Sequence, residues 1–539
     1  MNRSFLFWCF TFALSGCSGE PEVTYHGTTR AIMETRCVTC HSDGGLTPFP
    51  LENWEQVQPV LDLVTTSIEN RTMPPWGMNA DCRDLQGSID LTNEERESFR
   101  VWAEADYPEG NPQDYTAPVR VEPFDPGLPD LTLQNDVGYL PPKDAVDDYR
   151  CLLLDTAFET DTFIAGSRVL PDRLDLVHHI IVYLAPEHRR ETLEAMDAED
   201  EEPGFTCFGD AGIQDAQMLT GWAPGGSMLP FDGKSAMRVP AGSIPIMQMH
   251  YNRTEPASAE ELPDRSKVEL WTLADGDYPD NLLHLLPVAD LGISIEAGDP
   301  DSTHVKDFYY PVDAEIVGVA PHMHLLGSQL HASLHRPDGS TECLATVDQW
   351  DFNWQRSYVY EEEARVPFSV ADRIELTCVF DNSAENQAVQ NGEKLDPQEV
   401  RWGDGSHDEM CLNYLLVQNP YYGAGESGVC AGFQTCLTDC PDGDAFCALS
   451  CMSAAGEACM YCGIDGLFGD CLISSCQTEA ITLGACFQSC PQDYGEDIGC
   501  LYTDCNEEMN SYYSCIEPAI LDGSCAEDFT GCDGISERP

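Results

Sequence analysis

Apolar and polar positions change their rhythm four times along this chain, dividing 539 residues into five segments. Residues 1–23, MNRSFLFWCFTFALSGC and a short tether, open with one positive charge followed by an apolar run, the order of an export signal. Residues 24–112 carry LENWEQVQPVLDLVTTSIEN and LTNEERESFRVWAEA. Their helical apolar spacing and N-terminal start signals predict a small all-α domain. The Pro-rich connection NPQDYTAPVRVEPFDPGLPD follows. From about 120 to 425 the pattern turns to short β-branched and aromatic runs broken by Pro, Gly and Asp, which predicts all-β sandwich architecture. A boundary near 285 divides it into halves over 113–285 and 286–425. The last segment, 426–539, holds 16 cysteines, and Arg538 is its sole basic residue. The four-residue offsets Cys436/Cys440, Cys447/Cys451 and Cys486/Cys490 place cysteines one helical turn apart, predicting short helices stapled by disulfides. CLTDCPDGDAFCALSC and CFQSCPQDYGEDIGCLYTDC read as two copies of one unit.

Composition narrows the partners. The net charge of −66 repels phosphate backbones and anionic lipid, which argues against nucleic acid; solubility in a salty habitat accounts for the charge better than a cationic partner. The 26 cysteines fit an oxidising compartment. Leu14-Ser15-Gly16-Cys17 resembles a bacterial lipoprotein cleavage site, with Cys17 as the lipidated residue, and Ser18 after it favours sorting to the outer membrane. No later apolar run approaches the roughly 18 residues of a spanning helix. The expected location is therefore the envelope of a Gram-negative bacterium, with membrane attachment only through the lipid.

Two kinds of chemistry stand out. Cys37-Val38-Thr39-Cys40-His41 is a haem attachment pattern: two thiols add across the haem vinyl groups while the histidine binds iron. The same pattern alone also occurs in zinc and redox sites. Here Arg71-Thr72-Met73-Pro74-Pro75-Trp76 follows, and the segment, including its closing helix LTNEERESFRVWAEADYPEG, resembles the cytochrome c family throughout. The resemblance implies one covalently attached haem c, ligated by His41 and by Met73, with Met78 as the rival. Methionine opposite histidine raises the reduction potential and makes a single-electron carrier. His26 precedes this domain and reads as a surface residue.

The second chemistry rests on His178 and His179 in LVHHIIVYL, His250 in MQMHYN, His322 and His324 in HMHLLG, and Met410 in DEMCLNYL. Five imidazoles and a thioether suggest two three-ligand sites, and the soft thioether, which holds Cu(I) well, points to copper. Residues two apart on a strand share a face, so His322 and His324 can reach one metal while Met323 points away; Gln248 and His250 share a face for the same reason. Adjacent His178 and His179 diverge on a regular strand, so joint ligation requires a bulge or a twisted strand end. The residues alone leave that open. His188, His284, His304, His331 and His335 read as surface or satisfied core residues, and His407 lies close enough to Met410 in sequence to approach the second site.

These segments, together with GWAPGG (221–226) and DFNWQ (351–355), resemble the type II copper, ascorbate-dependent monooxygenases, the family of peptidylglycine alpha-hydroxylating monooxygenase and dopamine beta-monooxygenase. The motifs stand in the family order from about 125 to 420. The resemblance implies two jelly-roll-like sandwich domains facing a solvent-filled cleft. His178, His179 and His250 would hold a copper that stores an electron. His322, His324 and Met410 would hold a second, where oxygen binds and a substrate C–H bond is hydroxylated. Each copper supplies one of the two electrons that hydroxylation consumes. Gln248 matches a cleft-lining position, either relaying between the sites or bonding within the sheet, and Tyr414 matches a family tyrosine. The family disulfides fall on Cys151–Cys207 and Cys378–Cys411; Cys82 and Cys343 have no assigned partners. The arginine that binds a carboxylate in the peptide-processing enzyme is Ala320 here, and a usual asparagine is Leu412, so a glycine-extended peptide is not the expected substrate.

The expectation is thus a copper monooxygenase acting on a small molecule with O2, with electrons from ascorbate or a redox protein passing through the fused haem. The rival readings are a non-catalytic copper-binding or electron-transfer surface lipoprotein, and an adhesive role residing in the cysteine-rich tail.

Overall fold

The computed structural model describes residues 23–528 except 39–40, 44–48, 75–76, 80, 119–126, 136, 144–146, 155–157, 174, 208–210, 214–215, 223–232, 253–261, 311–312, 353, 391–392, 404, 406, 425–429, 438–439, 442, 456–458, 460–462, 465, 491–499, 501–503, 523 and 526–527. Cys17, Cys40, Ala223–Gly226 of the GWAPGG motif, Cys462 and Cys532 lie outside the described residues. The chain forms two compact units, one of residues 1–75 and 89–122, the other of residues 76–88 and 123–539. No helix among the described residues is long and apolar enough to cross a membrane.

The first unit is helical: α1 (Arg30–Arg36), α2 (Trp54–Val57), α3 (Leu61–Glu69) and α4 (Asn93–Glu104). The sequence LTNE starts α4 with a capping box: Thr92 Oγ1 accepts from the Glu95 N–H at 3.1 Å, and Glu95 Oε2 accepts from the Thr92 N–H at 2.9 Å. Such a cap satisfies two amides that the helix cannot. Phe99 and Trp102, three apart on one face, are fully buried against Tyr25, Val57 and Leu91. The Arg36–Glu95 pair, 3.2 Å, ties α1 to α4. His26 is not a surface residue: it is buried, with Nε2 3.4 Å from Glu109 and Nδ1 without a partner. Its place beside the core residue Tyr25 draws it inward.

In the second unit a first sandwich contains β1 (Leu131–Gln134), β2 (Asp147–Leu153), β3 (Thr162–Leu170), β4 (Val177–Ala185), helix α5 (Arg190–Glu199), β5 (Phe205–Thr206), β6 (Gln217–Trp222), β7 (Ser235–Val239), β8 (Ile244–Asn252) and β9 (Lys267–Thr272). A second contains β10 (Asn281–Ala289), β11 (Ser294–Ile295), β12 (Ser302–Phe308), β13 (Ala314–His322), β14 (Gly327–His335), β15 (Thr341–Val347), β16 (Tyr358–Val359), β17 (Val366–Phe368), β18 (Arg373–Phe380), β19 (Val389–Gln390), β20 (Glu393–Lys394), β21 (Val400–Arg401) and β22 (Leu412–Pro420).

One sheet, ordered β1-β9-β3-β7-β10-β22-β13-β16 with β17 beside β13, runs through both sandwiches. The join is the parallel pairing of β7 with β10, Asn281 opposite Ser235. Residue 285, where the sequence suggested a boundary, lies inside β10. The sheets β5-β2-β8-β4-β6 and β12-β18-β14-β15 cover its two halves. The inner faces form separate cores, one around Val182, Met247 and Leu270, the other around Leu330, Leu376 and Phe380; Val317 and Leu416 of the second sandwich pack into the first.

Residues 76–88 leave the stretch read as helical domain and pack on the second sandwich. Three kinds of contact hold them. Cys82 is bonded to Cys343. The Arg83 guanidinium donates to the carbonyls of Cys343, 2.9 Å, and Ala364, 2.7 Å. Met78 and Leu85 enter its core, each buried apolar side chain contributing about 1.5–3 kcal/mol.

The tail carries α6 (Phe433–Leu437), α7 (Ala445–Ala455) and helices over Asp470–Ser475, Gln477–Phe487 and Asn506–Asp522. The two repeats share a disulfide pattern, each a nested pair: Cys436–Cys451 around Cys440–Cys447, and Cys486–Cys505 around Cys490–Cys500. Cys430–Cys459, Cys471–Cys525 and Cys476–Cys515 complete the described framework. The tail is docked, because the buried Arg238 of β7 donates to the carbonyl of Ala455 at 3.0 Å, a cation at the C-terminus of α7 where the helix dipole favours it.

Candidate metal centre

β4 is bulged between Val177 and His179 where it pairs with β8. The extra residue cancels the alternation that would turn adjacent histidines to opposite faces. His178, His179 and His250 consequently each offer a nitrogen to one volume, all within 4.8 Å of one another. His179 Nδ1 stands 3.4 Å from His178 Nδ1 and 3.3 Å from His250 Nδ1. Two nitrogens each bound at about 2.0–2.1 Å to one metal at a tetrahedral angle stand about 3.3 Å apart. The cluster therefore has the dimensions of a first coordination shell.

Support for these rings is uneven. His250 Nε2 donates to Asp147 Oδ1 at 2.9 Å, which leaves Nδ1 as the free lone pair. Asn252 Nδ2 fixes the same carboxylate oxygen at 2.7 Å. Tyr149 lies flat on the His250 ring, centroids 4.2 Å apart. His178 Nε2, the nitrogen other than the one 3.4 Å from His179, is buried without a partner among the described atoms, so this ring lacks the outer hydrogen bond that Asp147 gives His250. Gln248, on the same face of β8 as His250, is buried with Nε2 3.9 Å from Cys207 Sγ, against the Cys151–Cys207 disulfide.

The second set lies where β13 ends. His322 and His324 present rings 5.1 Å apart at 90°, while Met323 between them is fully buried in the second core. His324 Nδ1 donates to the Asp408 carbonyl at 3.1 Å, leaving Nε2 as the lone pair, and Gln355 hydrogen-bonds His322. Met410 is brought near by register. It lies two residues before Leu412, which pairs with His322, and it packs with Leu412, Trp402 and Tyr414. Cys378–Cys411 anchors this segment to β18. Tyr414 pairs with Ala320 on β13. His407 is exposed.

The two sets share an aromatic ring. Phe352 stacks on His178, centroids 4.5 Å apart at 20°, and meets His324 edge-on at 6.2 Å. Asp147, Phe352, Gln355 and Glu409 had no role in the sequence reading. Phe352 and Gln355 sat inside the motif DFNWQ; Asp147 would have required the β2–β8 register, which pairs residues about a hundred positions apart. Among the remaining histidines, His284 is buried with Nε2 unpartnered, so it is not a satisfied core residue; it sits on β10 opposite Val417, where an apolar neighbour supplies no acceptor.

Burial holds the imidazoles of His178, His179, His322 and His324 neutral. It lowers His178 and His322 to about 3 and His324 to about 4, and pushes His179 well below the ordinary histidine value, with neighbouring imidazoles adding to the effect. Only neutral imidazole ligates, so these four rings are prepared for metal at physiological pH. Burial raises the Glu409 carboxyl to about 8, against four backbone amides that favour its charged form. The sign for stability follows. Unfolded histidines take up protons near pH 6.5, so the contribution of these buried rings, present above that value, is lost as pH falls from about 6.5 toward 3 or 4. Nitrogen NMR of the metal-free protein is expected to show these imidazoles still uncharged at pH 5. Any of these four rings titrating near 6.5 would contradict the burial argument.

In the helical unit, His41 Nδ1 donates to the Phe49 carbonyl at 3.0 Å, and the His41 N–H donates to the Cys37 carbonyl at 2.9 Å. With the proton on Nδ1, the ring's lone pair is on Nε2. Met73 is 42% exposed. Met78 is fully buried in the core of the second sandwich, which removes it as a rival ligand.

The chain is 24% identical over 269 residues to DBH-like monooxygenase protein 1 of Homo sapiens, covering 45% of this chain and 39% of that protein. To the protein of the same name in Gallus gallus it is 23% identical over 267 residues, covering 46% and 39%. The chain thus spans about two fifths of the length of these curated relatives. A solved structure of PNGF-II aligns with a TM-score of 0.21 at 9% identity over 54% of this chain and 66% of its own, too slight a likeness to bear on fold or function. Residues 310–441 match the family model for the C-terminal domain of copper type II ascorbate-dependent monooxygenases, and the stretch that brings together His322, His324 and Met410 falls wholly within that match.

Proposed function

We propose that this chain is an exported, lipid-anchored copper monooxygenase that hydroxylates a C–H bond of a small molecule with O2 and receives electrons through a haem c on its helical unit. One observation carries the reading: a three-nitrogen cluster and a His-x-His pair with a nearby thioether lie on the same aromatic ring, Phe352. The family match over 310–441 supports copper as the metal. When bound, copper supplies one-electron chemistry with dioxygen, and haem carries single electrons.

The chain's own residues do the rest. Asp147 holds the His250 ring with one nitrogen inward, and the Asp408 carbonyl does the same for His324. Gln355 fixes His322. Gln248 and Tyr414 line the volume beside the two ligand sets, and Ala320 with Leu412 gives the second site apolar walls, which favours a substrate without a carboxylate. His41 and Met73 would ligate haem iron, with Cys37 and Cys40 as attachment points. Ascorbate or a redox protein would serve as the external donor.

Metal analysis tests this directly. The holoprotein is expected to carry two copper ions and one iron, and His179→Ala to lose one copper. Copper content unchanged by that substitution, or copper absent from the holoprotein, would defeat the reading.

A further inference from the structure

Glu409 stands immediately before Met410 and is fully buried. Its carboxylate faces three backbone amides drawn from two distant parts of the chain. Oε2 accepts from the N–H of His324 at 2.9 Å and from that of Met410 at 3.2 Å; Oε1 accepts from the N–H of Leu326 at 2.6 Å. The Gly327 N–H adds to the same cradle. Among the described residues no lysine or arginine pairs with it. A carboxylate buried without a cation is expensive, so its presence calls for a task that an apolar residue cannot perform.

The task is legible in what it joins. His324, Leu326 and Gly327 form the turn that leaves β13, whereas Met410 belongs to a segment more than eighty residues later. One side chain thus ties the backbone of a histidine ligand to the backbone of the thioether residue. We infer that Glu409 is the positioning residue of the second copper site, assembling His324 and Met410 into one ligand set before the metal arrives. The inference rests on the proposed second site. A second tie joins the same segments, His324 Nδ1 donating to the Asp408 carbonyl at 3.1 Å, while Cys378–Cys411 fixes the chain after Met410 and Trp350 Nε1 donates to the His324 carbonyl at 3.0 Å.

Only a carboxylate fits the cradle. Glutamine offers a single acceptor oxygen, and its amide would face at least one backbone N–H as a second donor, leaving that N–H unpaired. Displacing the thioether, which favours reduced copper, would lower the copper reduction potential.

The test compares wild-type holoprotein with Glu409→Gln, Glu409→Asp and Met410→Ile. Copper is titrated while the cupric resonance is followed, sulfur scattering is read by X-ray absorption of the reduced protein, and the potential of the second copper is measured. Copper retained at His178, His179 and His250 serves as the internal check on folding. Glu409→Gln is expected to weaken second-site copper about 10–100-fold, to lose the sulfur shell and to lower the potential, with Glu409→Asp recovering part of each. Two tight coppers, an intact sulfur shell and an unchanged potential in Glu409→Gln would overturn the inference. If Met410→Ile also leaves the sulfur shell unchanged, the second-site reading falls with it; if Met410→Ile alone removes the shell, only the inference falls.

Discussion

Met410→Ile is expected to reduce oxygen-dependent turnover by about 100-fold or more while leaving copper bound at His178, His179 and His250. The floor follows from the ligand shell: disturbing the partners of metal ligands alone costs about 10–100-fold, and this change removes a donor outright. Isoleucine has nearly the volume of methionine, so the packing with Leu412, Trp402 and Ala289 survives. The loss is therefore chemical. The soft sulfur is the donor that favours reduced copper over zinc or other harder metals. The variant also separates two readings of the chain. A protein that merely stores copper or passes electrons keeps its cluster of three imidazoles and behaves as before, whereas an oxygenase loses its reaction centre. Oxygen uptake under a saturating reductant, with copper counted in the same sample, decides between them, and a variant that retains wild-type uptake would show that Met410 is no ligand.

Much of the architecture could be read because local rules agreed with the fold. The start of α4 followed from LTNE, its buried face from the spacing of Phe99 and Trp102, and the sandwich from short alternating runs. Even the bulge at His178 and His179 could be stated as a requirement, since a regular strand cannot aim neighbouring rings at one point. Long-range facts were not legible. Pairing β7 with β10 merges two sandwiches into one sheet, and no residue near 285 announces it. Residues 76–88 follow a helical segment in sequence but belong to the second sandwich through Cys82, Arg83 and Met78. Asp147 and Glu409 act through registers and turns that form only when distant strands meet. The sequence reveals ligands by their chemistry, whereas their supports are ordinary acids recognisable only by position.

Cys37→Ser/Cys40→Ser is expected to abolish the covalent haem absorbance and the iron content while leaving both coppers in place. Each thiol would form one thioether bond to a porphyrin, so the double variant would remove both covalent tethers. The copper ligands lie in the other compact unit, which has its own cores and disulfides, so their loading does not depend on the haem. The functional consequence depends on the donor. Ascorbate, which can reduce copper directly, should still support turnover, whereas a single-electron protein donor working through the helical unit should support none above background. Each hydroxylation consumes two electrons and one haem would carry one, so stopped-flow mixing of the fully reduced wild type with O2 and substrate, without an external donor, should show the haem oxidised once after the two coppers have made one product, and continued turnover should need two donor-supplied haem oxidations per product. The Phe49 carbonyl accepts from His41 Nδ1, which puts the ring's lone pair on Nε2, the atom that would bind iron. A double variant that turns over equally well with the protein donor would exclude the haem from the electron path, and a wild-type protein without haem after denaturation would remove the cofactor altogether.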